Sequence, residues 1–262
     1  MRATLSLMRR EFSAYFLSPI GYVVFVVFLV ATGHLFYLTL LQLTARGPHG
    51  INFPMQLMLS DRWFWLVFLF IPPLLTMRLF AEERGSGTLE MLLTVPLRDW
   101  QIVLSKYAAC FAFYLLLWVP TLAYLPVLLD LSWDVSLVPW HATFAAGIDP
   151  WPVVSSYLGL ALAGAKFLAL GLFVSSLVRS QMVAALIALT LSLLFIVAGF
   201  WRPEMETGST LDQVLLFFTV PLHFDRNFSR GLVDTRQLVL YTSVTLFCLF
   251  MTVRSLESRR WR

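Results

Sequence analysis

One polar stretch, 82–100, separates two long apolar runs and is a long polar insertion on the side of the chain where basic residues accumulate. Its charged residues are Glu82, Glu83, Arg84, Glu90, Arg98 and Asp99, and its apolar stripe consists of Leu89, Met91, Leu92, Leu93 and Val95. Pro96 ends this stripe because proline cannot continue a helix, and the hydroxyl of Thr88 can cap its first turn. The stretch therefore predicts a short helix at a membrane face, with an apolar side suited to docking.

Lys166 is the most unusual charge, since it lies near the centre of the apolar run 155–178. A lysine at the centre of a membrane helix costs about 2.5 to 3.5 kcal/mol, so its charge must be compensated. The sequence places no carboxylate at matching depth. Lys166 could face a water-filled interface, pair with carbonyls freed by prolines, or meet an anionic group of a substrate. A structural or partly snorkelled lysine is the alternative to substrate contact.

Other reactive residue types form no recognisable catalytic or metal-binding pattern. Cys110 and Cys248 lie in apolar runs without CxxC spacing, which favours inert buried thiols. His34 has no second ligand at suitable spacing, so we expect a hydrogen-bonded residue of the bundle and no metal site. No GxxxxGK[ST] loop or soluble nucleotide-binding domain is present, so any ATP hydrolysis must belong to another polypeptide. Four serines, Ser155, Ser156, Ser175 and Ser176, have no suitably placed base.

Composition shows what must position these residues. The chain has 262 residues, of which 59% are hydrophobic and 13% charged, whereas a soluble domain has about a quarter charged residues. It is therefore predicted to be an all-α integral membrane protein, because long runs without alternation pair their backbone groups only as helices. We find no basic patch with interleaved aromatic residues outside the membrane flanks, so nucleic acid is not an expected partner.

Six apolar runs approach or exceed the roughly 20 residues that a bilayer requires. They cover about 20–43, 63–80, 102–129, 155–178, 182–201 and 237–253, within a single domain over 1–262. Residues 1–18 place apolar side chains, including Phe12 and Tyr15, at helical intervals and Arg9 and Arg10 opposite them. This pattern predicts an interfacial elbow helix, with a solvated tail as the alternative. Pro72 and Pro73 fall in the second run, where they could form a hinge or a static kink.

Charge distribution predicts the orientation. With the N-terminus inside, twelve of the nineteen basic residues fall on inside segments. These are Arg2, Arg9, Arg10, Arg78, Arg84, Arg98, Lys106, Arg179, Arg254, Arg259, Arg260 and Arg262. Both termini and the 82–100 loop are therefore expected in the cytoplasm. The semi-apolar segment 202–236, interrupted by Pro221, is too short to span, so we expect an extracellular re-entrant or interfacial helical hairpin, with a surface loop as the alternative.

Four stretches together resemble one protein family. The sequence PPLLTMRLFAEERGSGTLEMLLTVPLRDWQIVLSK, 72–106, is similar to the segment around the second span of type-2 ABC transporter permeases. Segments 173–185, 223–239 and 254–261 agree with it, and the last two most resemble the branch of the gliding-motility-associated permease subunit. The resemblance covers nearly the whole chain, and its motifs are specific in combination.

The resemblance implies a six-helix permease half, an elbow helix and a coupling helix that sits in a groove of a separate ATPase. The coupling positions would be Gly87, Thr88, Leu89, Glu90, Met91, Leu92 and Leu93, with Glu82 and Glu83 at the membrane exit. ATP and Mg²⁺ would bind the ATPase, and this chain would need no cofactor and have no ATPase site of its own. It also implies a second permease chain, identical or homologous, within the cell inner membrane among its lipids, and it favours export.

Two other classes compete with this reading. An intramembrane enzyme would need a catalytic motif, and neither HExxH nor paired intramembrane aspartates occur. A secondary transporter or channel would show a carboxylate relay or an inverted repeat, and neither is evident. The substrate and any periplasmic or extracellular partner cannot be read from these residues.

Overall fold

The computed structural model describes residues 2–46, 54–88, 98–124, 151–197 and 217–260, and every regular element among them is helical. The α-helices are α1 (Arg2–Leu17), α2 (Pro19–Arg46), α3 (Pro54–Ser60), α4 (Arg62–Thr76), α5 (Ala81–Gly85), α6 (Asp99–Trp118), α7 (Trp151–Leu177), α8 (Gln181–Val197), α9 (Val220–Arg226) and α10 (Thr235–Arg260). Short 3₁₀ helices cover Pro120–Ala123 and Phe228–Arg230. The predicted fold class is confirmed: this is an all-α integral membrane protein.

Four helices are long and apolar enough to cross a membrane. Their candidate spans are Pro19–Gln42, Asp99–Ala123, Trp151–Leu177 and Thr235–Ser258. Two shorter apolar helices, Arg62–Thr76 and Gln181–Val197, lie where the second and fifth spans were expected. The second ends at Thr76 rather than near residue 80, and a turn leads from it into α5. The count of six spans stays a prediction.

Helix α7 lies at the centre of the bundle because small residues let its neighbours approach closely. A side chain at Gly164 would overlap the ring of Tyr114 in α6, and one at Gly171 would overlap Thr76 in α4. Ala163 and Ala169 are fully buried within the chain. Such small residues permit tight contacts between membrane helices, and here they serve packing within one chain. Helices α4, α6, α8 and α10 all pack on α7.

The N-terminal helix α1 is amphipathic, as predicted, and packs on α6. Phe12 and Tyr15 are half-buried, whereas Arg9 and Arg10 are exposed. The Tyr15 ring stacks on Phe113 at 4.7 Å between centroids, and its hydroxyl donates to the Leu75 carbonyl of α4 at 2.9 Å. The elbow helix is thus bound to two helices of the bundle.

Short helices pack together at the N-terminal end of α7. Ser155 donates to the Phe228 carbonyl, and Phe224 and Phe228 pack against Gly159. Asp225 of α9 accepts hydrogen bonds from Gln56 (3.2 Å) and Ser60 (2.8 Å) of α3. Phe224, Asp225 and Phe228 belong to the second half of the predicted 202–236 hairpin, and residues 202–216 lie outside the described part. Pro221 lies in the first turn of α9, where proline is tolerated.

His34 and the two prolines of the second apolar run have different environments in the structure. His34 is exposed on the outer face of α2, so the prediction of a histidine packed within this bundle is wrong. Pro72 and Pro73 are both buried inside α4, and the Thr76 hydroxyl donates to the Pro72 carbonyl at 2.8 Å. A hinge at these prolines stays a prediction.

Candidate functional site

The candidate site is the end of the bundle where α5 lies across the ends of its neighbours. Helix α5 has only five residues, too few to persist alone in water. Its first-turn backbone groups are capped from another helix: the hydroxyl of Ser175 in α7 accepts from Phe80 N at 3.1 Å and from Ala81 N at 3.0 Å. An uncapped helix start would leave these N–H groups unpaired. Helix α7 therefore holds the beginning of α5.

The last turn of α5 is also attached to α7. Arg84 donates from Nη1 to the Ser176 carbonyl oxygen at 2.8 Å, near the end of α7. A cation near a helix C-terminus satisfies free carbonyls and opposes the negative end of the helix dipole. Gly85 lies beside the Arg179 backbone, just before α8 begins. Both ends of α5 are thus fixed against the same end of α7.

A buried lysine joins α5 to two further helices. Lys106 of α6 is 1% exposed, and its ammonium lies 2.8 Å from Glu83 Oε1 and 3.2 Å from Glu11 Oε2. It also lies 5.4 Å from the centre of the Phe80 ring. We call Glu11, Glu83 and Lys106 the ion cluster. Since it contains one residue each from α1, α5 and α6, the elbow helix and the start of the loop are linked through a single cation.

The ion cluster places two carboxylates around one ammonium in a poorly hydrated space. Burial raises the pKa of the Glu83 carboxyl, and the attraction of Lys106 opposes this shift only in part. The negative charge of Glu11 acts in the same direction as burial. Removal of charges from water disfavours the ionised form. Glu83 therefore depends on Lys106 to remain ionised.

A second charged group lies beside the ion cluster. Arg78, in the turn between α4 and α5, donates from Nε to Glu82 Oε2 at 2.9 Å and from Nη1 to Ser18 at the junction of α1 and α2. Further along, the Thr88 hydroxyl lies 2.9 Å from Ser86 Oγ. Thr88 was expected to cap the next helix, but the described partners of its hydroxyl lie in the Gly85–Thr88 turn region and in α5.

The structure brings some of the predicted coupling residues together. Glu82 and Glu83 lie in α5, and Gly87 adopts the left-handed conformation (φ 74°) in the turn after it. Leu89, Glu90, Met91, Leu92 and Leu93 lie outside the described residues. Their role in coupling stays a prediction. The described chain resumes at Arg98, whose backbone N donates to the Gln101 side chain at 3.1 Å, and α6 begins at Asp99.

Sequence reasoning missed the residues that anchor the loop. Glu11 was given no role, Lys106 was counted only among the basic residues of the inside segments, and Ser175 was considered only as a nucleophile. A signal for Lys106 was available, because it lies seven residues into a long apolar helix, where an ammonium needs a partner. Nothing in the sequence selects Glu11 and Glu83 as those partners.

The ammonium of Lys166 is surrounded by three aromatic rings. It is 1% exposed, and its ammonium lies 4.6 Å from the Phe167 ring centre, 4.3 Å from that of Phe195 and 5.2 Å from that of Tyr241. Ring faces attract cations, more strongly where water is excluded. The rings belong to α7, α8 and α10, and the contact of Lys166 with a substrate or a water-filled interface stays a prediction.

The serines considered for nucleophilic catalysis are engaged with the backbone. Ser156 donates to the Pro152 carbonyl at 2.6 Å, and Ser176 donates to the Phe173 carbonyl at 2.7 Å. Ser155 and Ser175 hold Phe228 and α5, as described above. These contacts stabilise helix ends and helix contacts. They do not favour the alternative of an intramembrane enzyme.

The assignment follows from this fold together with comparison to known families. A family model described as ABC-2 family transporter protein matches residues 52–222, about two thirds of the chain. The chain belongs to the ABC-2 transporter family. No curated protein matches it. The family match does not distinguish branches, so kinship with the gliding-motility permease stays a prediction. An ABC-2 permease is a membrane subunit for transport and is not itself the catalytic subunit.

Proposed function

We propose that this ABC-2 permease is the membrane subunit of an exporter, driven by a separate ATPase that docks on the 82–100 loop. Family membership supports a role in ATP-driven transport. The contacts that hold α5 to the bundle support the 82–100 loop as the place where the ATPase transmits force to the permease. Export, the ATPase and the docking surface are parts of the proposal.

The observation that carries the proposal is that three helices hold the start of the loop. Ser175 and Ser176 fix α5 to α7, Glu83 ties it through Lys106 to α6, and Lys106 continues the link to Glu11 of α1. A loop serving only as a linker would not need such contacts, because exposed turns tolerate change. A displaced α5 must either break several polar contacts or carry its neighbours with it.

Mechanically, the loop would act as a lever with a rigid base. The apolar stripe Leu89, Met91, Leu92 and Leu93 would occupy a groove of the ATPase, in the manner of an amphipathic helix docking on a partner. ATP binding and hydrolysis, with Mg²⁺ in that subunit, would move the groove. The ion cluster would then pass the displacement to the elbow helix and α6, and the serine contacts would pass it to α7, as in rigid-body switching.

The assembly we propose contains two permease chains and two ATPases in the cell inner membrane. Both termini and the 82–100 loop face the cytoplasm, as the distribution of basic residues favours. The second permease chain is either another copy of this chain or a homologue, and the α3 and α9 end is the place for a periplasmic or extracellular partner.

The test uses the ATPase that copurifies with the tagged permease. We expect Glu90→Arg, and separately Leu89→Asp with Leu92→Asp, to abolish ATP hydrolysis coupled to transport while insertion into the membrane remains normal. Glu257→Arg is the matched control, since it places the same charge change on an exposed glutamate of α10. Unchanged stimulated hydrolysis in the loop variants, or hydrolysis by the permease alone, would refute the proposal.

A further inference from the structure

Beside the ion cluster, a cleft of about 290 Å³ opens between α1, α2, α4 and α5. It adjoins the proposed docking loop, whose first residues, between 82 and 88, form one wall, but the apolar stripe of that loop is not part of its described lining. One part of its lining is apolar and the other is charged. Such a lining matches a ligand with an apolar and a polar part.

The apolar part contains two exposed side chains, with buried apolar residues beside them. Ile20 of α2 and Leu74 of α4 are 38% and 37% exposed, and Val24 and Leu75 lie beside them. Contact of this apolar surface with water is unfavourable, and a hydrocarbon chain that covers it removes that cost. These residues fit one acyl chain at the point where α2 and α4 meet the elbow helix.

The charged part has an excess of carboxylate. Its ionisable residues are Glu11, Arg78, Glu82, Glu83 and Lys106, two cations and three carboxylates, with a formal net charge of −1. Both cations already have partners, since Arg78 binds Glu82 and Lys106 binds Glu83 and Glu11. Glu11 also binds Arg10, which lies outside the lining, so the carboxylates available to a ligand are those of α5. The carboxylate most open to the cleft is Glu82, whose side chain is 46% exposed, whereas that of Glu83 is 20% exposed. The cleft therefore suits a ligand that brings positive charge and hydrogen-bond donors.

Arg78 adds a place for one anionic group. Its guanidinium has five N–H donors, and its contacts with Glu82 and Ser18 use three of them. Its side chain is one-third exposed at the cleft. A phosphate could bind the remaining donors while an ammonium two methylenes away reaches Glu82 or Glu83. Ser86 and Thr88 supply further hydroxyls at this end of the lining.

From these features we infer that the cleft binds a membrane phospholipid whose zwitterionic headgroup ends in a primary ammonium. The ammonium lies among the carboxylates of α5, the phosphate lies against Arg78, and one acyl chain lies along Ile20 and Leu74. A purely anionic headgroup would face the excess negative charge. A trimethylated ammonium has no N–H group to donate to Glu82 or Glu83.

The experiment is native mass spectrometry of the purified chain, with any subunits that copurify. The detergent contains equal amounts of ethanolamine, choline and glycerol phospholipids with identical acyl chains. We expect the ethanolamine lipid to be retained about tenfold over the choline lipid, the effect of one charge-assisted hydrogen bond. Equal retention of all three lipids would overturn the inference, and the result does not depend on ATP hydrolysis or on the proposed function.

Variants of the lining test whether the phospholipid binds in this cleft. Glu82→Lys changes the net charge of the lining from −1 to +1, so the preference should move to the glycerol lipid, which is anionic. Glu257→Lys makes the same change at an exposed site of α10 and should leave the ethanolamine preference intact. Leu74→Trp, which fills the apolar part, should reduce retention of all three lipids and remains informative if Glu82→Lys fails to fold. A lipid preference that is unchanged in both Glu82→Lys and Leu74→Trp would place the binding elsewhere and refute the site.

Discussion

At the level of single residues, Lys106 has the strongest structural role in this site. Its ammonium is buried between Glu11 and Glu83. Its removal leaves these carboxylates close together, with the exposed Arg10, 2.9 Å from Glu11 Oε1, as the counter-ion of Glu11 alone. Breaking a buried ion pair by removing one partner costs about 3 to 5 kcal/mol. We expect Lys106→Met to lower the free energy of unfolding by that amount, measured by denaturant titration in detergent micelles.

Lys166→Met is the matched control for Lys106→Met. Both lysines are 1% exposed, but Lys166 is surrounded by rings and has no carboxylate partner among the described residues. Methionine relieves the cost of the buried charge and keeps much of the side-chain volume, so the free energy of unfolding should change by less than about 1 kcal/mol. We also expect transport to persist. Equal destabilisation by the two substitutions would contradict the role given to the ion cluster.

Glu83 predicts a pH dependence of stability. Its pKa is raised above the ordinary value of 4.5, so the folded state binds this proton more tightly than the unfolded state. Stability contributed by this group is therefore present below pH 4.5 and is lost as pH rises through the raised pKa. The difference in melting temperature, wild type minus Glu83→Gln, should fall as pH rises through that window. A difference that stays flat or rises would show that the Glu83 carboxyl is not held in this environment.

At the level of elements, the junction between α1 and α2 depends on Gly21. A Cβ at this position would overlap the carbonyl oxygen of Tyr15, which is backbone and cannot rotate away. We expect Gly21→Ala to displace the elbow helix from α6 and to weaken the contact between Glu11 and Lys106. Protease cleavage at Arg9 and Arg10 should become several-fold faster. The control is Gly87→Ala on the other side of α5, which adds strain at φ 74° but brings the new Cβ against no other atom, and it should not accelerate this cleavage.

The helices were largely predictable from sequence because length and hydropathy determine them. The elbow helix followed from its periodicity, and α2, α6, α7 and α10 followed from apolar runs of sufficient length. The end of α4 was less predictable, because apolar residues continue into the turn at Leu79 and Phe80, which are buried there. Local hydropathy cannot distinguish a buried turn from the last turn of a span.

The candidate site was predictable only in part, for a related reason. The position of the 82–100 loop and the carboxylates at its start followed from the charge pattern. The groups that hold this part of the loop are distant in sequence or lie in other helices. Ser175, which caps Phe80 N and Ala81 N, is 95 and 94 residues away from them. Lys106, the partner of Glu83, and Glu11 lie in two separate helices. Such contacts arise from helix packing. A pattern within one helix contains no information about them.

At the level of the whole molecule, the two ends of the bundle differ in character. One end gathers α1, α5, the start of α6 and the end of α7 around charged residues. The other gathers α3, α9 and the start of α7 around Asp225 and buried phenylalanines. Ser155 and Ser175 mark these ends on one helix, and the 20 residues between them span about 30 Å, the thickness of a bilayer core. This difference is the structural basis for placing an ATPase at the charged end.

The most direct test of this account is site-specific crosslinking in the complex with the copurified ATPase. Cys110 and Cys248 are buried, so a single cysteine at an exposed serine can be labelled selectively. With a short crosslinker from thiol to amine, Ser86→Cys beside α5 should join the ATPase, and Ser60→Cys at the opposite end should not. Crosslinking from residue 60 and none from residue 86 would show that the motor binds elsewhere and would contradict the account.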